Sequence, residues 1–177
     1  MLRKIPGDHS VCDDHRMQER TRVRPPARTP KQLAARVQQL ITTPAHWVAR
    51  VRLDLEGRWY ERIHADESHD VWLISWMPGQ STSFHDHGGS NGAFGVAWGD
   101  LDECVVPRDG GAVRVNRIAS GVARSFGPRH VHDVRNSSAG SVAVSVHAYS
   151  PPLLETRRYD VTPSGLVLSG TETAENW

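Results

Sequence analysis

Apolar residues recur at two different periods along this chain. Leu33, Val37, Leu40 and Ile41 fall on one face at helical spacing. Thr29 followed by Pro30 supplies the start: a capping hydroxyl, then a proline at the first helical position. Thr43-Pro44 breaks the run, and a second short helix is expected over 45–51, with Trp47 and Val51 turned inward. From about residue 57 onward the segments turn strand-like. Segments 71–77, 93–98, 101–106, 112–118 and 141–149 are short, β-rich and separated by clusters of Gly, Pro, Asp, Asn and Ser. Such spacing predicts an all-β sandwich or small barrel behind a small helical cap. Residues 1–28 keep no period and read as a disordered polar tail, leaving a single domain at 29–177.

Composition narrows the function classes. At 177 residues, 38% hydrophobic and 23% charged, the chain is an ordinary globular sequence with enough length for a proper core. Lys plus Arg is 21 and Asp plus Glu is 20, so no basic excess points to nucleic acid. No apolar run reaches the length of a membrane span. The first twenty residues lack the apolar middle of a signal peptide. Cys12 and Cys104 cannot build a disulfide framework, which suggests a reducing, cytoplasmic setting. A monomer is expected.

Ten histidines stand out, and their placement more than their number. His85 and His87 are two apart, so on a strand their imidazoles share a face. Imidazole suits zinc, copper, iron and nickel. A turn-rich stretch, 88–92, follows them. A third ligand is offered by His132 or His130, which lie two apart after the Gly127-Pro128 turn. Ser145, His147 and Tyr149 alternate with Val142, Val144, Val146 and Ala148. That strand has one apolar face and one face suited to line a polar chamber. Arg62, two residues after Tyr60, offers a fork for a carboxylate.

Taken together these residues resemble the cupin superfamily, and within it the cysteine dioxygenase family. Gly79, His85, His87 and Gly99 fit the first cupin motif, with Gly92 where most cupins carry a glutamate. His132 and Asn136 fit the end of the second motif, although no Pro-x-Gly precedes them intact. Ser145, His147 and Tyr149, then Ser150-Pro151-Pro152, match the family's Ser-x-His-x-Tyr and Ser-Pro-Pro. Tyr60 and Arg62 match its Tyr-x-Arg.

The resemblance implies a cupin barrel (a double-stranded β-helix) with a short N-terminal helical cap. It implies Fe(II) held by His85, His87 and His132, with no carboxylate ligand. It implies that Arg62 and Tyr60 hold the carboxylate of a small thiol substrate. Tyr149 would be a neutral donor at the reacting centre, oriented by His147, itself oriented by Ser145. The implied reaction joins L-cysteine and O2 to give cysteine sulfinic acid. Relatives acting on 3-mercaptopropionate use an arginine past the tyrosine, and Arg158 falls near that place. A cupin that binds a metal without catalysis is a third reading. The Ser145-His147-Tyr149 row speaks against it, since binding alone needs no oriented phenol. Animal family members join a cysteine to the tyrosine. Gly92 at that position has no sulfur, so Tyr149 is expected to be unmodified.

Overall fold

The computed structural model describes residues 25–107 and 111–174. The expected tail lies outside the described residues as far as residue 24. Its last residue, Arg28, is fastened to the body: its N–H donates to Ser150 Oγ and its carbonyl accepts from Asn91 Nδ2.

Helix α1 spans Pro30–Ile41 and starts where the sequence places it. The Thr29 hydroxyl accepts from the Gln32 N–H while the Gln32 side chain accepts from the Thr29 N–H. This reciprocal cap satisfies two of the free donors at the helix start. Leu33, Val37, Leu40 and Ile41 are all buried. The second helix expected over 45–51 is instead one 3-10 turn, Pro44–His46. Trp47 is buried and Val51 half-buried, but the chain from 47 to 50 only turns. So short a segment gains its place from the buried Trp47 ring rather than from helical hydrogen bonds.

Ten strands follow among the described residues: β1 Trp59–Ala65, β2 Asp70–Trp76, β3 Asn91–Trp98, β4 Asp100–Val105, β5 Arg114–Ala119, β6 Ala123–Phe126, β7 His132–Arg135, β8 Ala143–Ser150, β9 Glu155–Thr162 and β10 Gly165–Thr173. The five strands named from the sequence correspond to β2, β3, β4, β5 and β8. One antiparallel sheet runs β1-β2-β8-β3-β6. The second layer is built from β5-β4-β7 and the β9–β10 hairpin. Residues 81–86 stitch these two pieces together. His85 and His132 exchange backbone hydrogen bonds (2.9 and 3.1 Å), and Asp86 N–H donates to the Arg157 carbonyl (3.0 Å). Two layers of antiparallel strands closing over one core form a double-stranded β-helix.

Alternation along β8 divides its residues between two apolar clusters. Val144, Val146 and Ala148 face outward and pack under α1 with Val71, Leu73 and Ala93. Ala143 and Tyr149 face between the sheets with Trp72, Ile74, Trp76, Phe94 and Leu101. Both faces are covered, so all eight residues of β8 are buried. Gly95 makes the helix contact possible: a Cβ there would lie 2.9 Å from both Ile41 Cδ1 and Val37 Cγ1. Among the described residues no helix is long and apolar enough to cross a membrane.

Candidate metal centre

The 81–86 stitch delivers the first two histidines. Ser83 adopts a left-handed backbone (φ 60°), and its carbonyl accepts from His85 Nδ1 at 2.9 Å. The middle residue of the His-x-His, Asp86, faces away and is clamped from β9 by Arg157 Nη2 (2.8 Å) and the Tyr159 hydroxyl (2.9 Å). Gly88 then turns at φ 58°, where a Cβ would meet the Glu155 carbonyl at 2.9 Å. The pair is thereby fixed from both sides.

His132 begins β7 and pairs directly with His85. The three imidazoles of His85, His87 and His132 stand with ring centroids 5.0 Å apart in each pairing. One nitrogen from each lies within 4.8 Å of the others. All three rings are buried. Burial, followed by mutual repulsion of the rings, pushes His85 and His87 well below the usual histidine range; burial also lowers His132. Neutral imidazole is the form that binds a metal.

The donor set fits a metal. His87 Nε2 and His132 Nε2 are buried and find no hydrogen-bond partner among the described residues. Such orphans are rare unless something occupies the space between them. His132 Nδ1 donates to Glu103 Oε1 at 2.9 Å, leaving Nε2 as its ligand atom. A carboxylate behind a ligating histidine fixes the ring and its tautomer. His130, the competing third ligand, donates Nε2 to the same Glu103 oxygen at 3.0 Å and stacks on Phe126. It therefore braces Glu103. Burial raises the Glu103 carboxyl, but the hydrogen bonds from His130 and His132 outweigh it and hold it at about 2.

Phe126 explains the missing glutamate. Gly92 pairs with Tyr149 on one side and Phe126 on the other. A Cβ on Gly92 would lie 2.2 Å from Phe126 Cε2. The ring leaves no space for a side chain at Gly92, and it lies tilted against His87 with centroids 4.7 Å apart.

Ser145, His147 and Tyr149 form a chain with Trp76 at its head. Trp76 Nε1 lies 2.9 Å from Ser145 Oγ, Ser145 Oγ lies 2.8 Å from His147 Nε2, and His147 Nδ1 lies 3.3 Å from the Tyr149 hydroxyl. An indole N–H only donates, so Ser145 Oγ accepts from Trp76. Burial, then His132 and Arg58, hold His147 at about 3, so the ring is neutral. His147 Nδ1 thus faces the Tyr149 hydroxyl at the far end of the chain. Burial and then Asp70 push Tyr149 well above its usual range, so it stays protonated. Its ring stacks on His87 at 5.1 Å.

The two arginines singled out by the sequence sit differently. Arg62 is exposed, with its guanidinium carbon 5.4 Å from the Trp72 ring centroid; Tyr60 is half-buried against the same ring at 6.0 Å. Arg158 faces His85 across the sheet, but Glu172 holds its Nε (3.0 Å) and Nη2 (2.6 Å), and Thr82 accepts from Nη1. The sequence reading missed Glu103, Trp76 and Phe126. Glu103 left a trace there: a lone carboxylate in step with Leu101 and Val105 on one strand face.

Fold and site define a metal-binding double-stranded β-helix protein, a cupin. Among solved structures, the protein TT1209 from Thermus thermophilus superposes with a TM-score of 0.52 at 23% identity, covering 59% of this chain and 93% of that one. A double-stranded β-helix domain protein from Klebsiella pneumoniae subsp. pneumoniae gives 0.51 at 17%, covering 70% and 93%. The family is sharper: the model of cysteine dioxygenase type I matches residues 28–162, and the chain belongs to that family. Cysteine dioxygenase type 1 of Danio rerio is 28% identical over 134 residues, which is 67% of this chain. The match spans 64% of that relative's length.

Proposed function

We propose that this protein is an Fe(II)-dependent thiol dioxygenase that converts L-cysteine and O2 to cysteine sulfinic acid. The observation that carries the reading is three buried, neutral imidazoles, two of them with a nitrogen that finds no partner among the described residues, beside a buried phenol at the end of a hydrogen-bonded chain. Iron, when bound, supplies the redox chemistry that moves both oxygen atoms of O2 onto the thiol sulfur.

The protein's part is positioning and charge. An all-imidazole ligand set leaves the metal's charge undiminished, which favours an anionic thiolate. Tyr149 donates a hydrogen bond into the chamber and holds its proton while doing so. His147 and Ser145 fix the direction of that donation. Arg62 with Tyr60 takes the substrate carboxylate, Arg62 moving inward from its place over Trp72. Arg158 is already engaged by Glu172, which supports cysteine over 3-mercaptopropionate.

A substrate panel on iron-loaded protein tests this: L-cysteine, 3-mercaptopropionate and cysteamine, with sulfinate products quantified. L-cysteine should give the highest kcat/KM. Losing a bond to a charged group costs about 1.5–3 kcal/mol, so Arg62→Ala should lose about ten- to a hundredfold with cysteine. Arg158→Ala should be milder. The reverse order of the two variants, with 3-mercaptopropionate preferred, would move the protein to the other substrate. Oxygen uptake with none of the three would remove the thiol assignment.

A further inference from the structure

A second group of ligand-bearing side chains lies away from the chamber, at the tip of the β1–β2 hairpin. His64, Asp66 and His69 each bring one ligand atom there, and these atoms all lie within 4.8 Å of one another. By strict alternation His64 would share the inward face of Tyr60 and Arg62. A bulge between Arg62 and His64 shifts the register. His64 pairs instead with Val71, which packs on the outer face under α1. Bulges re-aim side chains in this way, giving up a regular ladder to do so.

The turn over 66–69 then folds Asp66 against both rings. The Asp66 N–H donates to the His69 carbonyl at 3.0 Å. Asp66 Oδ1 accepts from the N–H groups of Ser68 (2.7 Å) and His69 (2.9 Å) and from the Ser68 hydroxyl (2.6 Å). The same oxygen lies 3.2 Å from His69 Nδ1, which is also 2.9 Å from Ser68 Oγ. Oδ2 is left to face His64 Nε2 at 3.0 Å. The two imidazole rings stand 4.6 Å apart. His69 is buried, His64 is half-buried and Asp66 is exposed, so the group opens to solvent on one side.

Zinc binds His nitrogen and Asp oxygen at about 2.0–2.2 Å in a tetrahedron, which sets neighbouring ligand atoms about 3.3 Å apart. The two His–Asp separations, 3.0 and 3.2 Å, lie near that spacing. Two imidazoles with one carboxylate suit zinc, nickel or copper, whereas magnesium and calcium take oxygen ligands. We propose that His64, Asp66 and His69 form a second metal site, separate from the chamber, for a divalent ion of the zinc class. The ion ties β1 to the 66–69 turn. That turn in turn holds two distant segments: the Ser68 carbonyl accepts from Ser150 Oγ at 2.5 Å, and Ser68 Oγ accepts from Arg28 Nε at 3.3 Å. The site thus braces the sheet edge beside Tyr149 and the entry of the chain into α1, whatever reaction the chamber performs.

Zinc binding to the full chain tests this in wild type, His64→Ala, Asp66→Asn, His132→Ala and the double variant His64→Ala/His132→Ala. Asp66→Asn keeps an acceptor for the turn and removes the charge, so the hairpin should still form. Equilibrium dialysis against zinc chloride counts ions per chain, and thermal unfolding reports what they do for the fold. Wild type should hold one zinc ion more than His64→Ala. Asp66→Asn should bind that ion at least about tenfold more weakly, since losing even a group behind a ligand costs that much. In His132→Ala, where the chamber is disabled, zinc should still raise the melting temperature, and the double variant should lose that rise. Zinc content equal in wild type and His64→Ala would overturn the site. So would undiminished affinity in Asp66→Asn, or a rise in melting temperature that survives in the double variant.

Discussion

His132 and His130 are two residues apart on one strand approach, yet they do different work. His132 is buried with Nε2 unsatisfied; His130 spends Nε2 on Glu103 and is partly exposed. His132→Ala should therefore abolish metal retention, measured by elemental analysis of purified protein. His130→Ala should keep the metal. Metal lost from the second variant and kept by the first would reverse the assignment. Asp70 makes a separate prediction. Burial raises its carboxyl to about 6, against the hydrogen bonds from Trp72 and Leu153 and the nearby Arg62 charge. The folded state then binds that proton more tightly than the unfolded chain. This contribution is full below the unfolded value of about 4 and is lost as pH rises through 6. About two pH units at 1.36 kcal/mol each sets an upper limit near 3 kcal/mol. Asp70→Asn keeps an acceptor for the Leu153 N–H, so it should gain stability over wild type at pH 8 and little at pH 4.5. Urea unfolding at both pH values checks this, and an equal difference at the two would contradict it.

Among the elements, β3 carries the sharpest packing constraint. Gly92 is pressed between Tyr149 and Phe126, with no space for a Cβ. Gly92→Cys would place sulfur beside Tyr149 only by displacing the Phe126 ring, and overpacking of this kind costs about 1–3 kcal/mol. Chemical denaturation should show that loss, and adding Phe126→Ala should relieve part of it. An unchanged midpoint for Gly92→Cys would mean the ring yields freely. The start of helix α1 was legible to the residue, because cap and proline agree. β8 was legible to within two residues, and its alternation separates Ser145, His147 and Tyr149 from the residues under the helix. Strands β6 and β7 span only four residues each, too short for a period to register. β9 and β10 mix polar and apolar residues on partly exposed faces, so their pairing with each other carries the signal, not their sequence pattern. The segment 81–86 is not a strand by length, yet it joins the second layer by backbone bonds to both neighbours.

At the scale of the whole molecule, α1 shields one face of the central sheet and the second layer shields the other. The metal centre lies between the layers, where burial keeps three imidazoles neutral. The histidines and the Ser-His-Tyr row were readable from spacing and resemblance, since each sits in a local motif. Trp76 and Phe126 were not, and Glu103 left only a lone carboxylate on an apolar strand face, because their roles exist only once distant strands meet across the chamber. In the proposed reaction this chamber adds molecular oxygen to a thiol held at an all-histidine iron. Turnover of L-cysteine by the iron-loaded protein under 18O2, with mass analysis of the sulfinic acid, tests it most directly. Two labelled oxygens per product and one O2 consumed for each are expected. A product carrying label at one oxygen or none, or cystine in place of the sulfinate, would contradict it.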